Sequence, residues 1–452
     1  MIKVLDSTKD DVLSALKGRT FERDAKTEQI VEQIVADVRQ RGDAALLDSA
    51  RKFDAPNLQS IQVTSDEISE AVTSPETLAA LRVAADRVRS FHQAQAGTLY
   101  AGGTSSEKGL GRHGVNTVWN TAWNPDALEL GKEFLGQRWM PVSSAGAYVP
   151  GGNATYPSSV LMNAIPAVVA GVDQVFVTTP AGKDGNLHPA VLTALRLAEV
   201  DKAFKIGGAA AIAALALGTE SVPRVDKIVG PGNRFVNEAK RQLWGQVGLD
   251  GYAGPSEVCV LADDEANEEF AAADLLTQVE HAPDNAGFLV CLSRGKLDAI
   301  LAAAERQLKG APREETMRAA LAGASLAIVA RDLEEAIDIV NAIAPEHLTL
   351  AVAEPEKAML KVRNAGCILL GEYTPESAGD YCLGPSHTLP TSGAARWQSP
   401  VNVLDFLKLQ SVVRMTREGI QPLIPTIEAL AAIEGFPAHG FGATVRWEGK
   451  RE

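Results

Sequence analysis

Along the first hundred positions apolar residues recur at spacings of three and four, most clearly in TEQIVEQIVADVRQRGDAALLDSARKF, and this period predicts helices. Within that run Arg41-Gly42-Asp43 reads as the turn between two of them. From about residue 100 the period vanishes in YAGGTSSEKGLGRHGVNTVWN, which reads as a surface loop or irregular hairpin. Short apolar runs then alternate with longer amphipathic ones. GAYV, QVFVTTP, AFKIGG and VDKIVG predict strands, each followed by a helical run such as SSVLMNAIPAVVAG or NRFVNEAKRQLWG. A second series pairs the strands EVCVLAD, GFLVCLS, SLAIVA, LTLAV and GCILLG with helices such as NEEFAAADLLTQVEH and DLEEAIDIVNAI. Such alternation implies parallel sheets covered on both faces. The expected fold class is α/β: two Rossmann-like parallel-sheet units, one inserted in the other, with a helical N-terminal segment and a small C-terminal helical tail. The expected boundaries are 1–35 for the helical segment, 36–147 with 257–398 for the first α/β domain, 148–256 for the second, and 399–452 for a tail that packs on a partner subunit.

Composition narrows the class. A chain of 452 residues with 46% hydrophobic and 22% charged residues has the balance of a globular protein with more than one core. The net charge of −14 argues against a nucleic-acid surface, which needs clustered Lys and Arg. VLMNAIPAVVAGV is too short to span a bilayer and contains Pro166. The opening MIKVLDSTKDDVLSALKGR shows no secretory pattern, so a cytoplasmic enzyme is expected. Cys259, Cys291, Cys367 and Cys382 lack CxxC spacing, and the first three sit in apolar strand-like runs; they read as buried reduced thiols.

Open parallel sheets bind ligands beyond the carboxyl ends of their strands. VPGGNATYPSS, IGGAAA and VGPGNRF all occupy such places, and their glycines allow backbone to approach a nucleotide or phosphate, although no GxGxxG is present. Of seven histidines, His92, His113 and His188 are explained by a surface position. The other four have ligands or bases nearby: Gln278, Glu280 and His281 in QVEHAPD, Glu346 and His347 in APEHL, Asp380 and His387 in GDYCLGPSH, Glu434 and His439 in IEGFPAH. Gln278 and His281 would share a helix face. Imidazole and carboxylate without thiolate favour an open catalytic zinc site, but spacing alone leaves open which residues are ligands.

The segments AYVPGG, GTESVPRVDKIVGPGN, AGPSEV, LLTQVEH, APEHL, SAGDY, HTLPT and EGFPAH occur in the order found in histidinol dehydrogenase, which the chain resembles over nearly its whole length. The resemblance implies NAD-dependent oxidation of L-histidinol to L-histidine through histidinal, the last step of histidine biosynthesis, in two hydride transfers. It also implies one zinc per subunit and a homodimer whose active site both subunits share. By position, the zinc ligands would be Gln278, His281, Asp380 and His439, the last from the partner's tail. Glu346 and His347 match the acid–base residues, Ser256, His387 and Glu434 match positions that hold substrate alongside those ligands and His347, and Tyr148 and Asn233 match positions near the dinucleotide. On this reading His347 takes the alcohol proton and Glu346 activates water for the second oxidation. Three departures stand out: Ala210 where the family has Gln, Gly384-Pro385-Ser386 before His387, and a longer segment near 100–140 that reads as a surface insertion. The competing expectations are a related zinc/NAD dehydrogenase of another small amino or sulfonated alcohol, a zinc hydrolase, and a non-catalytic binding protein.

Overall fold

The computed structural model describes residues 2–17, 24–100, 134–152, 154–251 and 254–448, and the Gly-rich stretch 101–133, with His113, lies outside them. The strands are β1 Lys3–Asp6, β2 Phe134–Pro141, β3 Ser144–Tyr148, β4 Gln174–Thr179, β5 Lys202–Lys205, β6 Lys227–Val229, β7 Gly248–Leu249, β8 Glu257–Ala262, β9 Ala286–Cys291, β10 Leu326–Val329, β11 His347–Ala351, β12 Cys367–Leu370 and β13 Leu407–Arg414. The chain divides into a main unit, Met1–Ala96 with Val142–Phe406, and a smaller one, Gly97–Pro141 with Leu407–Glu452.

The main unit is α/β and holds two sheets, of six strands in the order β1-β10-β9-β8-β11-β12 and of five in the order β5-β4-β3-β6-β7, with every pair parallel. The period of two in β8 sorts its side chains between two apolar layers. Val258 and Val260 join a core with the helices Glu268–Val279 and Arg294–Leu308, while Cys259 and Leu261 join one with Leu333–Ile343. Both faces are covered, which is why EVCVLA reads as an unbroken apolar run.

In the five-stranded sheet, the helix Gly208–Leu217 (GAAAIAALAL) has no polar face. Its outer side is covered by the helices Ala25–Arg41 and Asp43–Phe53, which meet at Gly42 with φ of 54°, so the Arg-Gly-Asp step is a turn. Asp43 accepts from Thr219 Oγ1 at 2.6 Å and from Ser221 N–H at 3.2 Å, tying that turn to the GTESV loop.

Several local expectations are corrected. The N-terminal segment opens with a strand, β1, because KVLD gains parallel pairing on β10. The C-terminal segment, read as helical, begins with β13, which pairs antiparallel with β2 in the smaller unit before the helices Ile424–Glu434 and Pro437–Glu448. His92 is buried; its Nδ1–H donates to Val88 O at 2.8 Å, one turn back on the helix Pro75–Tyr100, while its Nε2 has no hydrogen-bond partner among the described residues. His188 is exposed and caps the helix Pro189–Leu197 by accepting from Ala190 N–H at 3.1 Å. All four cysteines are free thiols, Cys259 and Cys291 buried, Cys367 and Cys382 partly so. Among the described residues no helix is long and apolar enough to cross a membrane.

Candidate active site and cofactor loops

The helix Leu333–Ile343 ends on Ala344 in the left-handed region, with φ of 49°. Pro345 and Glu346 follow, and β11 begins at His347. Gly366 passes so close that a Cβ there would stand 2.6 Å from Glu346 O, which requires glycine immediately before the neighbouring strand β12. His347 lies in register with Val258 and Cys367, so the pair sits at the amino ends of β8, β11 and β12. The carboxyl-end rule therefore describes the glycine loops of the five-stranded sheet but not this pair. A helix from the other sheet closes onto the pair's surroundings: Ser159 Oγ lies 3.1 Å from His387 Nε2, and Thr388 Oγ1 donates to Asn163 Oδ1 at 3.0 Å, both partners on the helix Pro157–Ala170.

Around His347 the structure gathers three carboxylates. Its Nε2 lies 3.3 Å from Glu376 Oε1 and 3.4 Å from Asp380 Oδ1, and its Nδ1 lies 3.8 Å from Glu346 Oε2. Nδ1–H donates to Glu257 O at 3.4 Å. Gln278 Nε2 donates to Asp380 Oδ2 at 3.0 Å and also to Glu376 Oε1. Asn285 secures the Gln278 turn by donating to its carbonyl at 2.7 Å, and accepts from Ser256 N–H at 3.2 Å. His387 is oriented by its Nδ1–H, which donates to Asp380 O at 2.8 Å.

Burial penalises every charge in this cage, and what decides each group is whether a partner outweighs the penalty. Burial pushes Glu346 up to about 8, with the His347 charge and the 2.7 Å bond from Glu257 N–H pulling the other way. For His347 burial disfavours the imidazolium, but the bond to Asp380 and the charges of Glu346, Glu376 and Asp380 prevail and raise it to about 10. Glu376 is raised by burial and by Asp380, against the attraction of His347. Asp380 is held low despite burial, by its bond to His347 and that ring's charge. His387 is lowered by burial.

One donor atom each from His347, Glu376 and Asp380 lie within 4.8 Å of one another, a spacing suited to a metal ion. Glu376 Oε2 is buried without a hydrogen-bond partner among the described residues, as an oxygen reserved for a cation would be. Neither Glu376 nor Asn285 stands out in a search organised around histidines. The signal for Glu376 is its i,i+4 spacing from Asp380 on the helix Glu376–Tyr381, which puts both carboxylates on one face. Of the other sequence-derived candidates, His281 is exposed just beyond Gln278, and Ser256 is partly buried before β8. Glu434 and His439 belong to the smaller unit, where both are exposed on the two C-terminal helices.

Among the glycine loops, Tyr148 ends β3 buried, with its Oη accepting from Gly208 N–H at 3.3 Å and its phenol pushed up to about 12 by burial. Gly230 has φ of +118°, and a Cβ there would stand 2.1 Å from Tyr148 O. Its N–H donates to Asp250 Oδ2 at 2.7 Å and its carbonyl accepts from Lys240 Nζ at 2.6 Å, while Lys240 and Asp250 form a buried ion pair of 2.7 Å. Asn233 caps the helix Arg234–Leu243 through Oδ1, which accepts from Phe235 N–H at 3.0 Å and from Val236 N–H at 3.2 Å. Ala210 is buried and offers no polar group. Asn153 of VPGGN, and Tyr252 and Ala253 before Ser256, lie outside the described residues.

Fold and site together define an α/β enzyme in which a buried carboxylate–imidazole cage, suited to a cation, stands beside glycine loops of a nucleotide-type sheet. The Histidinol dehydrogenase family model matches residues 17–447. The histidinol dehydrogenase of Geobacter metallireducens is 43% identical, the alignment covering 100% of this chain and 99% of that one. That of Rhizobium meliloti is 44% identical over 92% of this chain and 91% of its own length. The crystal structure of histidinol dehydrogenase from Elizabethkingia anophelis superposes with a TM-score of 0.88 at 34% identity, covering 99% of this chain and 98% of that one. The chain belongs to the histidinol dehydrogenase family.

Proposed function

We propose that the protein oxidises L-histidinol to L-histidine by way of histidinal, passing two hydrides to NAD, as a cytoplasmic enzyme of histidine biosynthesis. The observation that carries this reading is the acid–base pair Glu346–His347 set against the cage of Glu376, Asp380 and Gln278 in a chain of this family.

The donors fit a zinc ion: they are nitrogen and oxygen, without thiolate, and one buried oxygen of Glu376 lacks a partner among the described residues. Gln278, His281 and Asp380 would hold one zinc per subunit, His439 of a second subunit would complete it, and Glu376 lies alongside. Bound there, the cation would supply positive charge that anchors the nitrogen donors of histidinol and offsets the carboxylates that keep His347 protonated. Ser256, His387 and Glu434, together with His347 and the ligand residues, would contact the substrate, Glu434 again from the second subunit.

In the first oxidation His347, in its neutral form, takes the hydroxyl proton as hydride leaves carbon. In the second, Glu346 takes a proton from the water that adds to the aldehyde; burial places its carboxyl near neutrality, where a general base is effective. Tyr148 and Asn233 would flank the dinucleotide. Exposed Leu430, Ile433, Phe436 and Phe441 on the C-terminal helices support a tail that packs on a partner in a homodimer. The same reading divides the chain into a segment 1–35, a domain of 36–147 with 257–398, a domain of 148–256, and 399–452 as the exchanged tail.

The test is NADH formation by the zinc-loaded protein supplied with histidinol. Two NADH per histidinol consumed is the expected yield. Absence of NADH, or hydrolysis of an ester or amide substrate in its place, would overturn the reading.

A further inference from the structure

Asp54 belongs to no group assigned so far. It caps the C-terminus of the helix Asp43–Phe53, and the chain beyond it returns along β5: Val63 N–H donates to Ala203 O at 2.9 Å and Lys205 N–H to Ile61 O at 2.6 Å. An antiparallel edge is thereby added to the five-stranded sheet. This connection delivers Asp54 to the carboxyl end of β5, where its Oδ2 lies 3.4 Å from the place a side chain on Gly207 would occupy. Pro180, just past β4, packs against the same two loops, 2.6 Å from the Cβ position of Gly151 and 3.0 Å from that of Gly207. Tyr148, whose Oη accepts from Gly208 N–H, feels the Asp54 charge. In front of these residues there is room: a Cβ on Gly152 or on Gly208 would meet nothing within 4 Å.

The carboxylate itself is partly buried, and burial alone pushes it up to about 6, with no hydrogen bond to offset it among the described residues. An acceptor shielded from water but left without donors lowers stability, so its persistence calls for a donor that arrives from outside. The neighbourhood says which donor fits. A phosphate is excluded, because two anions at close range repel strongly where water is partly displaced. A neutral vicinal diol is well matched, since two carboxylate oxygens can accept from two adjacent hydroxyls. Strand order says where along a dinucleotide that diol falls. The acid–base cage approaches this sheet through the helix Pro157–Ala170, which follows the central strand β3, whereas Asp54 stands by β5 at the sheet edge, away from the chemistry.

We propose that Asp54 receives the two hydroxyls of the adenosine ribose and thereby selects NAD over its 2′-phosphorylated form. This inference rests on the reading of Tyr148 as a dinucleotide contact. It adds a specificity-determining residue contributed by the N-terminal helices, outside the glycine loops. Ala210 contributes no polar group at the same loop, so the acidic side chain carries the polar recognition there.

The test is a fluorescence titration of the full-length protein with NADH, NADPH and 2′-deoxy-NADH, for wild type, Asp54→Ala and the shape-conserving Asp54→Asn. Wild type should bind NADH more tightly than either other dinucleotide. Asp54→Ala should lose about tenfold in NADH affinity, as expected for a charge-assisted bond, and should no longer distinguish NADH from 2′-deoxy-NADH or NADPH. In turnover the loss should appear in the dinucleotide KM and leave the histidinol KM in place. Both variants remove a charge that burial disfavours, so thermal unfolding should show no loss of stability. Folded variants that keep wild-type NADH affinity and discrimination would overturn the inference alone; a wild type that binds no NADH would overturn the dinucleotide reading with it.

Discussion

Replacing Glu346 with Gln tests both the electrostatics and the division of catalytic labour. Burial raises this carboxyl from 4.5 to about 8, and its side chain is only 7% exposed. At about 1.4 kcal/mol per unit, holding the ionised form in the fold costs about 5 kcal/mol as an upper bound. The sign follows from the proton balance. Below 4.5 the group is neutral in both folded and unfolded chains and costs nothing; as pH rises towards 8 the unfolded chain releases its proton first, so stability falls, and above 8 the deficit is constant. The amide of the Glu346→Gln side chain would keep an acceptor for Glu257 N–H, now 2.7 Å from Glu346 Oε2, without titrating. In metal-free protein, Glu346→Gln should therefore match wild type in urea unfolding below pH 4.5, exceed it increasingly up to about pH 8, and keep a constant margin above that. Parallel stability profiles for the two proteins would refute the burial argument. In rapid-quench experiments on the zinc-loaded enzyme, the variant should lose about 10²–10⁴ in the aldehyde-to-acid step, the scale of a missing general base, and release histidinal. Equal losses in both oxidations would refute the assignment of water activation to Glu346.

Other substitutions probe the supports of the site. Glu376→Gln should weaken zinc binding about 10–100-fold, as loss of a metal-site carboxylate does, measured by competition with a chromophoric chelator; unchanged affinity would remove Glu376 from the cage. Gly230→Ala would place a Cβ 2.1 Å from Tyr148 O at φ of +118°, and should lower stability by about 3 kcal/mol or more, read by thermal unfolding. Lys240→Met leaves Asp250 buried without its cation and should cost about 3–5 kcal/mol in urea unfolding; the double variant with Asp250→Asn should recover part of it.

The two-sheet architecture is legible because buried parallel strands such as EVCVLA and AGFLVC are short apolar runs between amphipathic helices, a pattern set by burial on both faces. β1 and β13 escape notice for the complementary reason. KVLD has four residues and becomes a strand only by pairing with a strand more than three hundred positions away, and LKLQSVVR is mostly exposed, so neither carries a core signal. A surface reading misplaces His92 because its apolar helix face buries the ring, with Nδ1 alone bonded to its own helix. At the site, Gln278, Asp380, Glu346 and His347 can be nominated from their types and spacing, and the fold brings all four together. Glu376 cannot, since it lies beside no histidine in the chain and meets His347 only through the return of the helix after β12. Nor can the location of the cage at the amino edge of its sheet, which depends on how the two sheets face one another across Ser159 and His387.

The central claim is the proposal that residues of three separate segments, Gln278 with His281, Asp380, and His439 of a second subunit, hold one divalent cation, with Glu346 and His347 facing the bound alcohol. Anomalous diffraction at the zinc edge, from crystals grown with histidinol, tests it most directly. A single peak per subunit within coordinating distance of both Gln278 and Asp380, with the substrate hydroxyl turned towards His347, is the predicted outcome. A peak remote from Asp380, or substrate density on the far side of the sheet from His347, would contradict the account.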